Sequence, residues 1–232
     1  RYSYRNKVEQ LQVEKIAQAS ANQRAGRCGR VAAGVCIRLY DEPDFAARPE
    51  YADPEILRSS LAGVILRMKG LRLGDVEDFP FIEAPPPKAI SDGYQLLLEL
   101  GAVNEERALT PVGNELAKMP LDPRVARMIV AARDEGCLKE VLVIAAALTV
   151  QDPRERPQER QGSADIAHKK FADEKSEFLS WIKLWQWYQG ELEHKKSQRK
   201  LVQACHENYL SALRMREWLD IHSQLHSLAA EH

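Results

Sequence analysis

The sequence predicts a mainly α-helical chain in which a winged-helix unit precedes a helical bundle. Three observations predict it. From residue 57 onward, apolar side chains recur at three- and four-residue intervals, the period of an amphipathic helix. Asp-Pro and Thr-Pro pairs open several of these stretches and glycines close others, as helix starts and stops require. One hairpin signal falls among them, at 102–110, and no strand pattern recurs after it.

Taken in order, residues 1–16 (RYSYRNKVEQLQVEKI) alternate roughly and are rich in strand formers, with a turn at Asn6, so one or two strands are expected. Ser20, with Gln23 three residues on, reads as a capping box that starts a short helix to about Arg30. Residues 34–40 read as a strand and 41–53 as a proline-marked connection. Asp53-Pro54-Glu55 opens a helix whose apolar stripe is Leu57, Leu61, Val64, Ile65 and Met68, ended by Gly70 and Gly74. After Pro85-Pro86-Pro87, a Leu-rich helix spans about 88–100 and stops at Gly101. The hairpin follows, then a helix from Thr110-Pro111 to about Met119. Helix, helix, hairpin and short helix in this order resemble a winged-helix unit. Asp122-Pro123 caps the next helix, and further helices are expected at about 123–135, 138–149, 164–173, 177–195 and 198–228. The polar run 151–162 (QDPRERPQERQG), with two prolines, is expected to be a loop.

The 232 residues suffice for one ordinary domain or two small ones, and 44% apolar with 29% charged residues fits a folded protein. Bases and acids nearly cancel, 33 against 34, so whole-chain charge selects no partner. Their distribution says more. Residues 1–40 hold Arg1, Arg5, Lys7, Lys15, Arg24, Arg27, Arg30 and Arg38 against only Glu9 and Glu14, which suits a phosphate-bearing ligand and equally a solvated basic face. Cys28, Cys36, Cys137 and Cys205 form no C-x-x-C pair, which argues against a zinc knuckle; unpaired buried thiols would fit the cytoplasm. No apolar run nears the roughly 20 residues that span a bilayer, so no membrane association is expected. The chain opens on Arg1 in strand-like sequence, from which we expect a piece of a longer protein.

Gln23-Arg24-Ala25-Gly26-Arg27-Cys28-Gly29-Arg30 is the most informative octet. On a helix, Gln23, Arg27 and Arg30 fall at i, i+4 and i+7 and share a face, while Arg24 points elsewhere. Two glycines inside a short helix each cost roughly 1 kcal/mol relative to alanine. A helix that accepts them needs its backbone close to something. Two guanidiniums and an amide beside bare backbone suit a polyphosphate, with Gly26 in contact. An Arg-rich surface helix making ordinary ion pairs is the plainer alternative.

The octet, with Ser20-Ala21-Asn22 before it, resembles motif VI of superfamily 2 helicases, and the stretch Ile16–Arg30 resembles the DEAH-box RNA helicases in particular. The resemblance continues through Cys36–Tyr40, Asp53–Arg58, Leu98–Ala102, Leu109–Gly113, Pro120–Pro123 and Ile144–Gln151, in order across about 150 residues. The Asp-Pro-Arg-Glu-Arg-Pro run at 152–157 and the Trp-rich stretch 181–188 are most similar to the bacterial type. The resemblance implies a partial RecA-like remnant at 1–45 bearing motif VI, a winged-helix domain at 46–121 and a helical-bundle "ratchet" domain at 122–232. The remnant, without its parent sheet, is expected to be partly irregular or to pack on the bundle or a neighbouring molecule. The resemblance further implies that Gln23 orients the attacking water and that Arg27 and Arg30 act as arginine fingers on the γ-phosphate. ATP and Mg2+ would bind the parent protein, on N-terminal RecA-like domains of the same chain. The RNA partner would be single-stranded, with a 3′ overhang, or a ribonucleoprotein. Residues 1–16 would cover part of the RNA-separating hairpin. Where many members carry Gly-Asp-His, this chain has Lys175-Ser176-Glu177, so that histidine's role does not transfer. The family's further OB-fold is expected to be absent after His232.

No G-x-x-x-x-G-K-[ST] occurs, and Asp41-Glu42 lies downstream of motif VI, the wrong order for a Walker B end. The chain by itself is therefore expected not to hydrolyse ATP. Arg154, Arg156, Arg160, Lys169 and Lys170 gather near the 151–162 loop and could grip RNA phosphates, or could be neutralised by Asp152, Glu155, Glu159 and Asp165. Lys195, Lys196, Arg199 and Lys200 read as a helix end whose cations suit the dipole. Trp181, Trp185 and Tyr188 at i, i+4, i+7 read as core rather than a base-stacking face. His222 and His226 lack a third partner, so no metal is expected. Two rival functions are a winged-helix module that reads duplex DNA and a helical scaffold without motor activity; against the first, the 88–100 helix carries only Lys88 as a base.

Overall fold

The computed structural model describes residues 2–3, 8–9, 13–194 and 197–231. Its chain divides into two compact units, Arg1–Lys118 and Met119–His232.

In the first unit, β1 (Tyr2–Ser3) and β2 (Val8–Glu9) pair antiparallel, Tyr2 opposite Glu9 and Ser3 opposite Val8. The expected turn at Asn6, and the cations Arg1, Arg5 and Lys7, lie outside the described residues. The helix α1 (Gln18–Gly26) begins three residues earlier than the capping box predicts: Ala17 stands at its N-cap and no side chain caps it. Tertiary bonds supply what the cap would. The backbone N–H groups of Gln18 and Ala19 donate to Pro49 and Glu50 carbonyls at 3.0 and 2.9 Å, and the Gln18 amide reaches the Arg48 carbonyl at 2.8 Å. Residues 34–40, expected as a strand, form none. Val35, Ile37 and Leu39 are 85%, 81% and 94% exposed, and among the described residues no second strand lies beside them to accept their ladder bonds. Asp41-Glu42 proves to be a helix start: the Asp41 carboxylate caps α2 (Glu42–Ala46) by accepting from the Asp44 N–H at 2.7 Å.

The helix expected from Asp53 is split. A single 3-10 turn (Glu55–Leu57) follows Pro54, and α3 (Ala62–Gly70) starts only after Ser59-Ser60. Its buried face is Leu61, Ile65, Leu66 and Met68; Val64, assigned to the stripe by its spacing, is exposed, and Leu66 takes its place. The Leu-rich helix α4 (Pro87–Glu99) packs against α3 and buries Ile90, Tyr94 and Leu97. Gly101, at φ +68°, ends it, which an L side chain there would oppose. The hairpin is minimal: Val103 and Leu109 form one antiparallel bridge. Then α5 (Pro111–Leu116) starts as expected, the Thr110 hydroxyl accepting from the Gly113 N–H at 3.0 Å. These elements constitute a winged-helix domain.

The second unit is a helical bundle. It comprises α6 (Pro123–Asp134), α7 (Leu138–Thr149), α8 (Gln161–Lys169), α9 (Glu177–His194), α10 (Gln198–Glu207) and α11 (Ala212–Glu231). Helix α7 is the central strut, packed by α6, α9 and α11. Its Ala145, Ala146 and Ala147 are almost wholly buried, small enough to let neighbours approach. Trp218 closes the core at 0% exposure, donating its indole N–H to the Val143 carbonyl at 3.0 Å. Truncating such a ring costs about 3–5 kcal/mol. Trp181 meets Trp218 edge-on with centroids 5.5 Å apart, and Trp185 and Tyr188 are buried with it, so this aromatic stripe is core.

Two expectations fail here. The single helix over 198–228 breaks at 208–211, where Tyr209 sits at φ +51°. Residues 153–155 cause the break by pairing with it: Arg154 bridges Leu210, the Glu155 N–H donates to the Tyr209 carbonyl, and Ser211 donates to Pro153. Further, Lys195 and Lys196 lie outside the described residues, and Arg199 and Lys200 start α10 rather than end a helix, because Ser197 caps it. Of the four thiols only Cys205 is buried; Cys28 and Cys36 are exposed.

Candidate functional site

The octet 23–30 sits at the end of α1. The α-helix runs to Gly26 and tightens into a 3-10 turn over Arg27–Gly29, with Arg30 still helical at φ −75°, ψ −35°. Gln23 and Arg27 keep their four-residue spacing, and a 3-10 turn brings residues three apart, Arg27 and Arg30, into line. Gln23, Arg24, Arg27 and Arg30 are all exposed, and no carboxylate pairs with any of the three arginines among the described residues. A Cβ built on Gly26 or Gly29 would meet no atom within 4 Å. The glycines are thus not demanded by packing within this chain. A row of unneutralised guanidiniums beside open backbone can take up a polyphosphate.

The base of this helix is held by Asp44. Its carboxylate receives Lys15 and Arg48, which together hold its pKa below the usual range. Arg48 also lies 3.8 Å over the Tyr40 ring, and Arg38 bonds Asn22 at 2.7 Å. Asp44 and Arg48 thereby tie Lys15 and Tyr40 to α2, and Arg38 ties to Asn22, while the octet's arginines stay exposed.

In the second unit a groove of about 610 Å³ is lined by Asp152, Arg154, Arg156, Asp165, His168 and Lys169, together with Glu177 and Ser180. Arg154 pairs with Asp152 at 2.8 Å and Glu177 at 2.7 Å and lies 4.4 Å over the Trp181 ring. Burial opposes its charge, but the two carboxylates more than compensate and raise its pKa. Arg156 grips Asp165 through two bonds of 2.8 and 2.7 Å, which raises its own pKa and lowers that of Asp165. Lys170 turns away to Asn208 and the Trp187 ring. Of the five bases expected near this loop, three are therefore engaged within the fold. Arg160 and Lys169 remain exposed and unpaired among the described residues. His168, absent from the sequence reading, joins the groove and meets the Tyr209 carbonyl at 3.0 Å; Glu177 was likewise missed as a partner. Asp165 and His168, three apart on α8, were the only local signal. His222 packs at a tilt against Trp185, ring centroids 4.5 Å apart, and no group of three or more metal-ligating side chains gathers among the described residues. No described helix is long and apolar enough to cross a membrane.

A winged helix followed by this bundle is the arrangement of helicase-associated domains. The ratchet-like helicase-associated domain model matches residues 122–201, and the winged-helix helicase-associated model matches 94–121. The chain carries winged-helix and ratchet-like helicase-associated domains, and over its whole length it is similar to a part of larger ATP-dependent RNA helicases. It is 51% identical over its whole length to the ATP-dependent RNA helicase HrpA of Escherichia coli and covers 18% of that protein. The HrpA homolog of Haemophilus influenzae is 52% identical over 97% of this chain, again 18% of the relative. The human probable ATP-dependent RNA helicase DHX34 is 34% identical across the whole chain, which spans 20% of it. The chain thus spans about a fifth of the length of these relatives.

Proposed function

We propose that this chain serves an ATP-dependent RNA helicase that moves along single-stranded RNA and separates duplexes in the cytoplasm. Residues 23–30 act as its motif VI and the ratchet groove as part of its RNA path. The observation that carries this reading is that, among the described residues, Arg27 and Arg30 have no partner and nothing crowds the glycines beside them. A surface helix built for ion pairs would have found carboxylates; this one keeps its charge for a ligand. Gln23 orients the attacking water, and Arg27 and Arg30 stabilise charge on the transferred phosphoryl group. ATP with Mg2+, held by N-terminal RecA-like domains of the parent, supplies the driving reaction, and the chain alone is inactive toward it. Arg160 and Lys169, the groove's unpaired bases, contact RNA phosphates, preferring a strand with a 3′ overhang or one within a ribonucleoprotein.

The test is ATP turnover by the full-length parent, with and without single-stranded RNA, for the wild type and Arg30→Ala. We expect RNA stimulation and a loss on the order of 10³-fold in the variant. Turnover that ignores RNA, or an Arg30→Ala protein as fast as wild type, sinks the proposal and favours a binding module without motor activity.

A further inference from the structure

Among the described residues, helix α1 is held chiefly at its N-terminal end. Its first two N–H groups, from Gln18 and Ala19, have no acceptor within the helix and donate to the Pro49 and Glu50 carbonyls. The Gln18 side chain adds bonds to the Ala46 and Arg48 carbonyls at 3.2 and 2.8 Å. Ala17 and Ala21 are buried at the same end. Past Asn22 the helix stands out: Gln23, Arg24, Arg27 and Arg30 are exposed, and a Cβ on Gly26 or Gly29 would meet no atom within 4 Å.

Arg48 lies at the centre of that hold, its side chain only 8% exposed. Its Nε and Nη2 both donate to Asp44 Oδ2, its Nη1 reaches toward the Ile16 carbonyl at 3.5 Å, and its guanidinium carbon lies 3.8 Å from the Tyr40 ring centroid. These neighbours come from three segments. Ile16 leads into α1, Asp44 belongs to α2, and Tyr40 ends the chain that returns from the octet. The returning chain meets α1 and its 3-10 turn twice. At Gly34 a Cβ would stand 2.3 Å from the Cys28 carbonyl oxygen, and Arg38 bonds Asn22 at 2.7 Å while lying over the Phe45 ring. Both sides of the octet thus lead back to Arg48 and α2. A guanidinium suits this place because it bonds along its edge and stacks by its face at once, which an ammonium does not.

From this geometry we infer that Arg48 is a positioning residue for Arg27 and Arg30: buried itself, it sets the direction of α1 and through it the place of the two exposed guanidiniums. The inference rests on the reading of residues 23–30 as motif VI. From Gln18 to Arg30 the helix and its 3-10 turn rise about 20 Å. A tilt of about 5° at the foot therefore moves the Arg30 backbone by about 1.7 Å, and a misplacement of about 1 Å can cost on the order of 100-fold in rate.

A mutant cycle on ATP turnover by the full-length parent, with saturating single-stranded RNA, tests the inference. Arg48→Ala should lower kcat about 30-fold and leave KM for ATP within about threefold, because the fingers act on charge that develops in the transition state. Arg48→Lys keeps a charge beside Asp44 but loses the fork and the flat face, and should recover part of the loss. In a parent already carrying Arg27→Ala and Arg30→Ala, Arg48→Ala should cost less than about threefold more, since the groups it positions are gone. A side chain that only stabilises the fold would lower the active fraction by the same factor in both backgrounds. Asp44→Asn goes through the same cycle, should lose about tenfold on its own, and decides the matter where Arg48→Ala yields no folded protein. Equal losses in the two backgrounds overturn the inference. So does a wild-type kcat in Arg48→Ala while Arg30→Ala is slow, an outcome that leaves the motif VI reading standing. Wild-type turnover in Arg30→Ala removes that reading instead, and the role of Arg48 falls with it.

Discussion

His222 shows how one residue's surroundings become a property of the fold. Its ring packs 4.5 Å from Trp185, and His226 follows one turn later. Burial, then the neighbouring His226, lowers its pKa below the ordinary histidine value. The unfolded chain therefore takes up this proton first as pH falls. The contribution to stability is intact above about pH 6.5 and is lost as pH drops from there through the lowered folded value. Thermal unfolding of the wild type should thus shift downward between about pH 7 and pH 5, and His222→Gln should flatten that part of the profile. Identical slopes in the two proteins would show that other groups govern the change. The histidine pair was visible in the sequence, and its lack of a third ligand set metal aside. Its aromatic neighbour was not visible, because Trp185 lies 37 residues away on a different helix.

At the scale of elements, the close approach of α5 to the hairpin rests on Gly113. A Cβ there would stand 1.9 Å from the Ala102 carbonyl oxygen and 2.8 Å from its carbon, both backbone atoms that cannot step aside cheaply. Gly113→Ala should therefore cost about 1–3 kcal/mol or more in the first unit, read as a lower denaturation midpoint with an unchanged slope. An unshifted midpoint would mean that α5 is not seated as described. Helix starts were the most legible part of the fold. Thr110 and Asp122 cap their helices with their own side chains, within two or three residues, so sequence alone locates them. The failures share a cause. Ser20 had the right partner at Gln23, but bonds from Gln18 and Ala19 to residues 49 and 50 set the start of α1 instead. The elbow at 208–211 exists because residues 153–155 pair with it, more than 50 positions earlier in the chain.

For the whole molecule, the informative contrast is between its buried units and the stretch from Arg27 to Tyr40. Val31, Val35, Ile37 and Leu39 are almost fully exposed and lie outside helix and strand. Local opening there costs little, whereas cutting within α7 or α9 requires a core to come apart. Brief trypsin treatment should cleave first at Arg30, and mass spectrometry of the first products should find α6 to α11 whole. A first cut inside the bundle would contradict this order. Residues 34–40 have strand-like composition and form no ladder among the described residues.

The sequence by itself determined the likeness to helicases, the octet, most of the helices and the helical class. Each of these is written in residues a few positions apart: caps, prolines, glycines and a 3.6-residue period act within a turn or two. Tertiary structure alone decided which charges stay free. Arg154 and Arg156 looked as available as Arg160 and Lys169 until Glu177 and Asp165 were seen against them. The three arginines of the octet looked as easily paired as any, yet among the described residues no carboxylate stands beside them. An ion pair forms between residues that folding brings together, and that distance is not written in the local pattern.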